Sequence, residues 1–177
     1  MHAMSIGIGG RSAILLARAE SYAAPSAFTL AHELGHIMLG HLGGGSVIDL
    51  EAPLQFSGET DGEEAQADSF ALEVLTGQEH PVVLPDQERF SATQLAAAAM
   101  AQADTLGIEP GVLAMCAGHT TGKWDRAYGA LKIIPPGNVD MPSWVNGLAR
   151  QQVRWDSLAG ESQDYLLAIM GQDLADV

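Results

Sequence analysis

The hydrophobic positions fall first in one short run and afterwards in stretches of helical character. Ser12 to Ala17 (SAILLA) is apolar with charge close by, which predicts a strand near the core. A helix is expected from about Pro25-Ser26, with Ser26 as N-cap, to about His41, stopped by Gly43-Gly44-Gly45. The stretch from there to about Gly62 reads as loop, with VIDL as a short strand inside it. The next helix, roughly Glu63 to Leu75, carries an apolar stripe of Ala67, Phe70, Ala71, Val74 and Leu75, and Gly77 ends it. Pro81 and Pro85 mark a connection. Ser91 and Gln94 then have the spacing of a capping box, opening an alanine-rich helix that stops at Gly107. Glu109-Pro110 starts another helix, and a further one spans about Thr121 to Lys132. Pro135-Pro136-Gly137 breaks the chain before two last helices, near Ser143 to Trp155 and Glu161 to Leu174. The fold class expected is α+β, mostly helical, with a small N-terminal β-sheet and C-terminal helices. Residues 1–80 form the core of this scheme, and residues 81–177 a helical region packed on it and available for partner recognition.

Composition narrows the function classes. A chain of 177 residues, 47% of them hydrophobic, suits one domain, or one with a small appendage, and is ample for a core. A net charge of −14 argues against direct binding of nucleic acid or of an anionic membrane, and a solvated acidic surface is the simplest reading. The single cysteine, Cys116, excludes an internal disulfide framework and a cysteine-rich zinc site, and it fits a reducing cytoplasm. The opening MHAMSIGIGGRSAILLARA lacks the basic leading region of an export signal. No segment approaches the roughly 18 apolar residues of a membrane span, so a soluble, cytoplasmic protein is expected.

The chemistry is concentrated in TLAHELGHIMLGH, residues 29–41. Residues four apart share one face of a helix, so His32 and His36 project side by side and can each give a nitrogen to one zinc ion at about 2.1 Å. Glu33, about 100° round the helix from His32, flanks the ion and is placed to act as general base. Gly35 costs the helix roughly 1 kcal/mol relative to alanine; either another backbone approaches closely there or a small residue is simply tolerated. His41 is out of frame for a third histidine ligand, because the metzincin positions are occupied by Leu39 and Leu42. It is expected to be a helix-terminal histidine set against the dipole.

The third ligand is sought in GEEAQADSFALEVL, residues 62–75. Glu64 and Asp68 are again four apart, and packing of this helix on the first would deliver Glu64 to the ion. Asp68 is then placed to accept a hydrogen bond from a ligating histidine, fixing its tautomer. Glu63 and Glu73 point elsewhere. Two histidines and one carboxylate leave an open fourth position for water, which is the pattern of a catalytic zinc site. The competing reading of the segment is an amphipathic helix whose acidic start is favoured by its dipole.

Together FTLAHELGHIMLGH (28–41) and EAQADSFALEVL (64–75) resemble the two motifs of the ImmA/IrrE family of zinc metallopeptidases. RSAILLAR stands where that family places a strand, and ADTLGIEPGVLAMCAGHTTGKW resembles its downstream helices. The resemblance is specific over residues 12–76 and looser to about 132. It implies a zincin-like, gluzincin-type core with one Zn2+ ion held by His32, His36 and Glu64, a water as fourth ligand, Glu33 as catalytic base and Asp68 behind the ligands. It also implies a protein substrate: a helix-turn-helix transcriptional repressor, or an antitoxin-type regulator from a toxin–antitoxin system. This sequence has no DNA-binding helix-turn-helix, so the repressor would be a separate chain. Asp68 replaces the more frequent Asn, and Leu75-Thr76-Gly77 stands where Leu-Met-Pro is usual. An oxyanion partner would come from outside the motifs, with Tyr128, His119 and His80 as choices that spacing does not separate. The linker acids Asp49, Glu51, Glu59 and Asp61 would either favour a basic substrate segment or be solvated. The function expected is zinc-dependent endopeptidase; the alternative is a non-catalytic regulatory module that binds a repressor or toxin without cutting it.

Overall fold

Ala3 and Ser5 are fully buried on a strand that the pattern of bulky apolar residues does not reveal. In the computed structural model, which describes residues 3–8, 10–17, 20–43, 46–49, 62–79, 81 and 89–171, Ala3–Ile8 forms β1 and Arg11–Leu16 forms β2. They pair antiparallel from Ala3 opposite Leu16 to Ile8 opposite Arg11. Gly10 takes φ +76° in the tight connection, a conformation glycine adopts without penalty. β3, Ser46–Asp49, pairs antiparallel with the other edge of β1, giving the order β2-β1-β3. The strand expected within VIDL is therefore present. β1, absent from the sequence-based scheme, is the central strand, and its buried small residues accommodate the helix that packs on it.

That helix, α1, spans Ala23–Met38 and begins three residues before the expected start. Tyr22, not Ser26, is its N-cap, and no side chain caps it. Pro25 is tolerated in the first turn, where a backbone N–H has no helical partner to lose. Ser26 is buried and donates its hydroxyl to the Tyr22 carbonyl. The helix stops at Leu39, before the glycine triplet, because Gly40 enters the left-handed region at φ +81°.

α2, Gly62–Thr76, packs on α1 through buried Ala67, Ala71 and Leu72. Val74, expected in the packed stripe, is 54% exposed. At about 100° per residue the buried arc of α2 is centred on the line through Glu64 and Asp68, which rotates Val74 outward and puts both carboxylates in the middle of the buried face.

α3, Ala92–Leu106, has both halves of the Ser91–Gln94 capping box and ends in left-handed Gly107. α4, Pro110–Thr121, is N-capped by the Glu109 side chain through Val112 N–H at 2.8 Å. Gly111 to Gly118 are all buried, so α4 is covered all round and runs through the core rather than along its surface. Cys116 lies in that stretch, and burial pushes its thiol up to about 12. α5, Trp124–Leu131, completes the cluster with Ala127, Ala130 and Leu131, and Trp124 packs against it.

The chain divides into two compact units, residues 1–139 and 140–177. The first contains α3 to α5 as well as the sheet, α1 and α2, so this division falls well after residue 80. In the second, α6 (Met141–Gln152), a 3-10 turn (Trp155–Ser157) and α7 (Gly160–Ile169) contain no buried residue. Asn146 donates to the Met170 carbonyl, and Gln163 to those of Trp155 and Leu158. Trp144 is exposed, while Trp155 donates its ring N–H to the Arg150 carbonyl. The fold is thus α+β and mostly helical. Among the described residues no helix is long and apolar enough to cross a membrane.

Candidate metal centre

The inward face of α1 carries three ionisable side chains in succession around one turn: His32, Glu33 and His36, all buried. Burying them is costly unless each is hydrogen-bonded or holds a cation. α2 supplies the partners, and Gly35 is what lets it come close. A Cβ at Gly35 would lie 3.1 Å from the Ala67 Cα, 3.3 Å from the Ala67 carbonyl oxygen and 3.3 Å from Phe70 Cδ1. The close backbone approach considered for this glycine is therefore present, and Glu64 and Asp68 flank the contact point on α2.

The donor atoms converge. His32 Nε2 and His36 Nε2 are 3.1 Å apart, Glu64 Oε2 is 3.1 Å from His32 Nε2, and Glu64 Oε1 is 3.4 Å from His36 Nε2. One ligand atom from each of the three residues lies within 4.8 Å of the others, a group that can hold a metal ion. The edge of a tetrahedron around an ion with bonds of 2.0–2.1 Å is about 3.3–3.4 Å, and the spacings between the two ring nitrogens, and from each ring nitrogen to the carboxylate oxygen facing it (Oε2 for His32, Oε1 for His36), are of that size.

Asp68 Oδ1 lies 2.8 Å from His32 Nδ1, as expected of a carboxylate that holds the outer nitrogen of a ligating ring. Burial alone would depress the His32 pKa, but the hydrogen bonds and charges of Asp68 and Glu64 outweigh it and raise it from 6.5 to about 10. The Glu64 carboxyl is held below its usual range, chiefly by its hydrogen bond to His32. Without an ion these carboxylates favour the protonated form of His32, whose Nε2 faces Glu64 and His36.

Two residues outside the expected site complete it. Ser5 Oγ, on β1, lies 2.5 Å from Glu33 Oε2 and 3.1 Å from the Glu33 carbonyl oxygen. The hydroxyl has one proton, and the carboxylate is the stronger acceptor, so Ser5 sets the rotamer of Glu33. The Gly9-Gly10 pair ahead of SAILLA is the one sequence signal for the hairpin that delivers it. His41 is the second. Its Nδ1 is 3.0 Å from His36 Nδ1 and its Nε2 is 3.1 Å from Gln66 Oε1. It lies beyond the end of α1, against the outer nitrogen of the His36 ring, and does not belong to the three-residue group.

Of the oxyanion choices, Tyr128 packs against the hydrophobic core and His119 lies in the last turn of α4. His80 and most of the acidic linker lie outside the described residues. No family model, no curated protein and no solved structure matches the chain.

Proposed function

We propose that the chain is a zinc-dependent endopeptidase of the ImmA/IrrE type with a zincin-like core. The observation that carries the reading is the convergence of His32, His36 and Glu64 beside a buried Glu33. Two imidazoles and one carboxylate suit zinc better than the harder divalent cations. When bound, the ion supplies Lewis acidity to the scissile carbonyl and lowers the pKa of water towards 7. Glu33, oriented by Ser5, takes a proton from the attacking water and delivers it to the leaving amine. Asp68 keeps the His32 Nδ1 proton in place, so that Nε2 faces the donor cluster with its lone pair. The substrate class proposed is a separate cytoplasmic helix-turn-helix repressor or antitoxin-type regulator.

The test is zinc analysis of the purified chain beside a cleavage assay with the helix-turn-helix protein encoded nearby, using wild type and Glu33→Gln. Loss of the general base should lower cleavage by about 10²–10⁴-fold while zinc content stays near one per chain. Cleavage that survives Glu33→Gln excludes this site as the peptidase. Zinc-dependent capture of the partner without any cut identifies a binding module instead.

A further inference from the structure

His41 follows the stop of α1 in a specific backbone arrangement. Gly40 N–H bonds to the Ile37 carbonyl at 3.3 Å, and His41 N–H bonds to the His36 carbonyl at 2.9 Å. With Leu39 as C-cap and Gly40 in the left-handed region, these are the two bonds of a Schellman motif. That motif returns the second residue past the cap onto the residue a turn and a half earlier. The contact is ordinarily apolar. Here it joins His41 to His36, with ring centroids 5.1 Å apart and interplanar angle 69°.

The hydrogen-bond directions are then fixed from the far end. The Gln66 side-chain oxygen can only accept, so His41 Nε2 carries a proton and donates it. A neutral His41 therefore has a bare Nδ1, which accepts from His36 Nδ1–H. That leaves His36 Nε2 as a lone pair directed at His32 Nε2 and Glu64. The reverse orientation of the Gln66 amide would donate to His41 Nε2, invert every step and leave a proton on His36 Nε2, where a ligand needs its lone pair.

We infer that His41 is a positioning residue of the metal centre: steered by the Gly40 turn and anchored by Gln66, it locks His36 in the Nδ1–H tautomer and does for His36 what Asp68 does for His32. The inference rests on His36 being a ligand, as in the proposed function, but not on any hydrolysis.

The test uses the full chain, zinc-loaded, with 15N-labelled histidine. In wild type a nitrogen–nitrogen coupling across the hydrogen bond is expected between His36 Nδ1 and His41 Nδ1, together with a slowly exchanging His36 Nδ1 proton. His41→Ala should abolish that proton signal and weaken zinc binding 10- to 100-fold. His41→Asn places an amide oxygen where Nδ1 stands and should recover affinity to within about threefold of wild type. His41→Gln, whose oxygen reaches the Nε2 position, should not. Gln66→Ala should weaken binding in the same direction but by less. The inference is overturned if the coupling is absent in wild type, if His41→Ala binds zinc within twofold of wild type, or if His41→Asn is as weak as His41→Ala. The wild-type coupling decides the matter even where a variant folds poorly. Tight zinc binding with no cleavage would sink the peptidase reading and leave this one standing. Tight binding indifferent to His41 does the reverse, and a wild type that takes up no zinc sinks both.

Discussion

Gly35 and Ala67 meet backbone to backbone: a Cβ on the first would stand 3.1 Å from the Cα and 3.3 Å from the carbonyl oxygen of the second. The neighbour is main chain of a packed helix and has little room to give. Gly35→Ala gains roughly 1 kcal/mol of helix propensity, yet overpacking of this kind costs about 1–3 kcal/mol. Because the contact sets the distance from α1 to Glu64, the larger effect should fall on the metal. Zinc affinity of Gly35→Ala is expected to drop at least tenfold while helical content by circular dichroism is kept. Unchanged affinity would show that the contact does not set the site.

Asp68 gives His32 its outer hydrogen bond, at 2.8 Å. Asp68→Ala should weaken zinc binding by about 10- to 100-fold in calorimetric titration. Asp68→Asn keeps a carbonyl oxygen in the same place and should lose less than tenfold. Equal losses would mean that the charge of Asp68 matters and its acceptor geometry does not.

Protons compete with the ion. In the metal-free protein His32 is raised to about 10, so its contribution to stability is complete below about 6.5 and is lost as pH rises through about 10. Glu64 is shifted down, so its contribution is present above about 4.5 and is lost as pH falls through its depressed value. Metal-free melting temperatures should therefore fall towards both extremes. Zinc uptake must displace the His32 proton, so affinity should rise from pH 6 to 9 and about one proton per ion should be released near pH 7.5. Binding with no proton release would contradict the charged state assigned to His32.

Ser5 hydrogen-bonds the fully buried Glu33. A hydrogen bond to a charged group is worth about 1.5–3 kcal/mol, so Ser5→Ala should lower stability by an amount of that order in denaturant unfolding. With the rotamer of Glu33 released, hydrolysis should fall by roughly tenfold or more while zinc affinity stays within about threefold. Unchanged hydrolysis would assign Ser5 to packing alone.

Much of this centre is legible in the sequence for one reason: helical period fixes which side chains share a face. His32 with His36, and Glu64 with Asp68, need nothing more than a spacing of four to be brought together. What the pattern misses depends on backbone path. β1 presents Ala3 and Ser5 inward because a helix crosses it, and small residues do not register as a hydrophobic strand. The place of His41 follows from the left-handed turn at Gly40, which redirects the chain after its helical period has ended. Val74 is misplaced because an apolar residue near a stripe is counted with it, although the centre of the arc belongs to two acids.

Cys116 has a use that follows from where α4 runs. It is the only thiol in the chain, fully buried and held far from ionisation, so an alkylating reagent added to the native protein reacts only when the interior swings open. Its labelling rate is a built-in stopwatch for unfolding, readable by mass spectrometry without engineering a probe. Timed with and without zinc, it would measure how far the cation slows the parting of the helices.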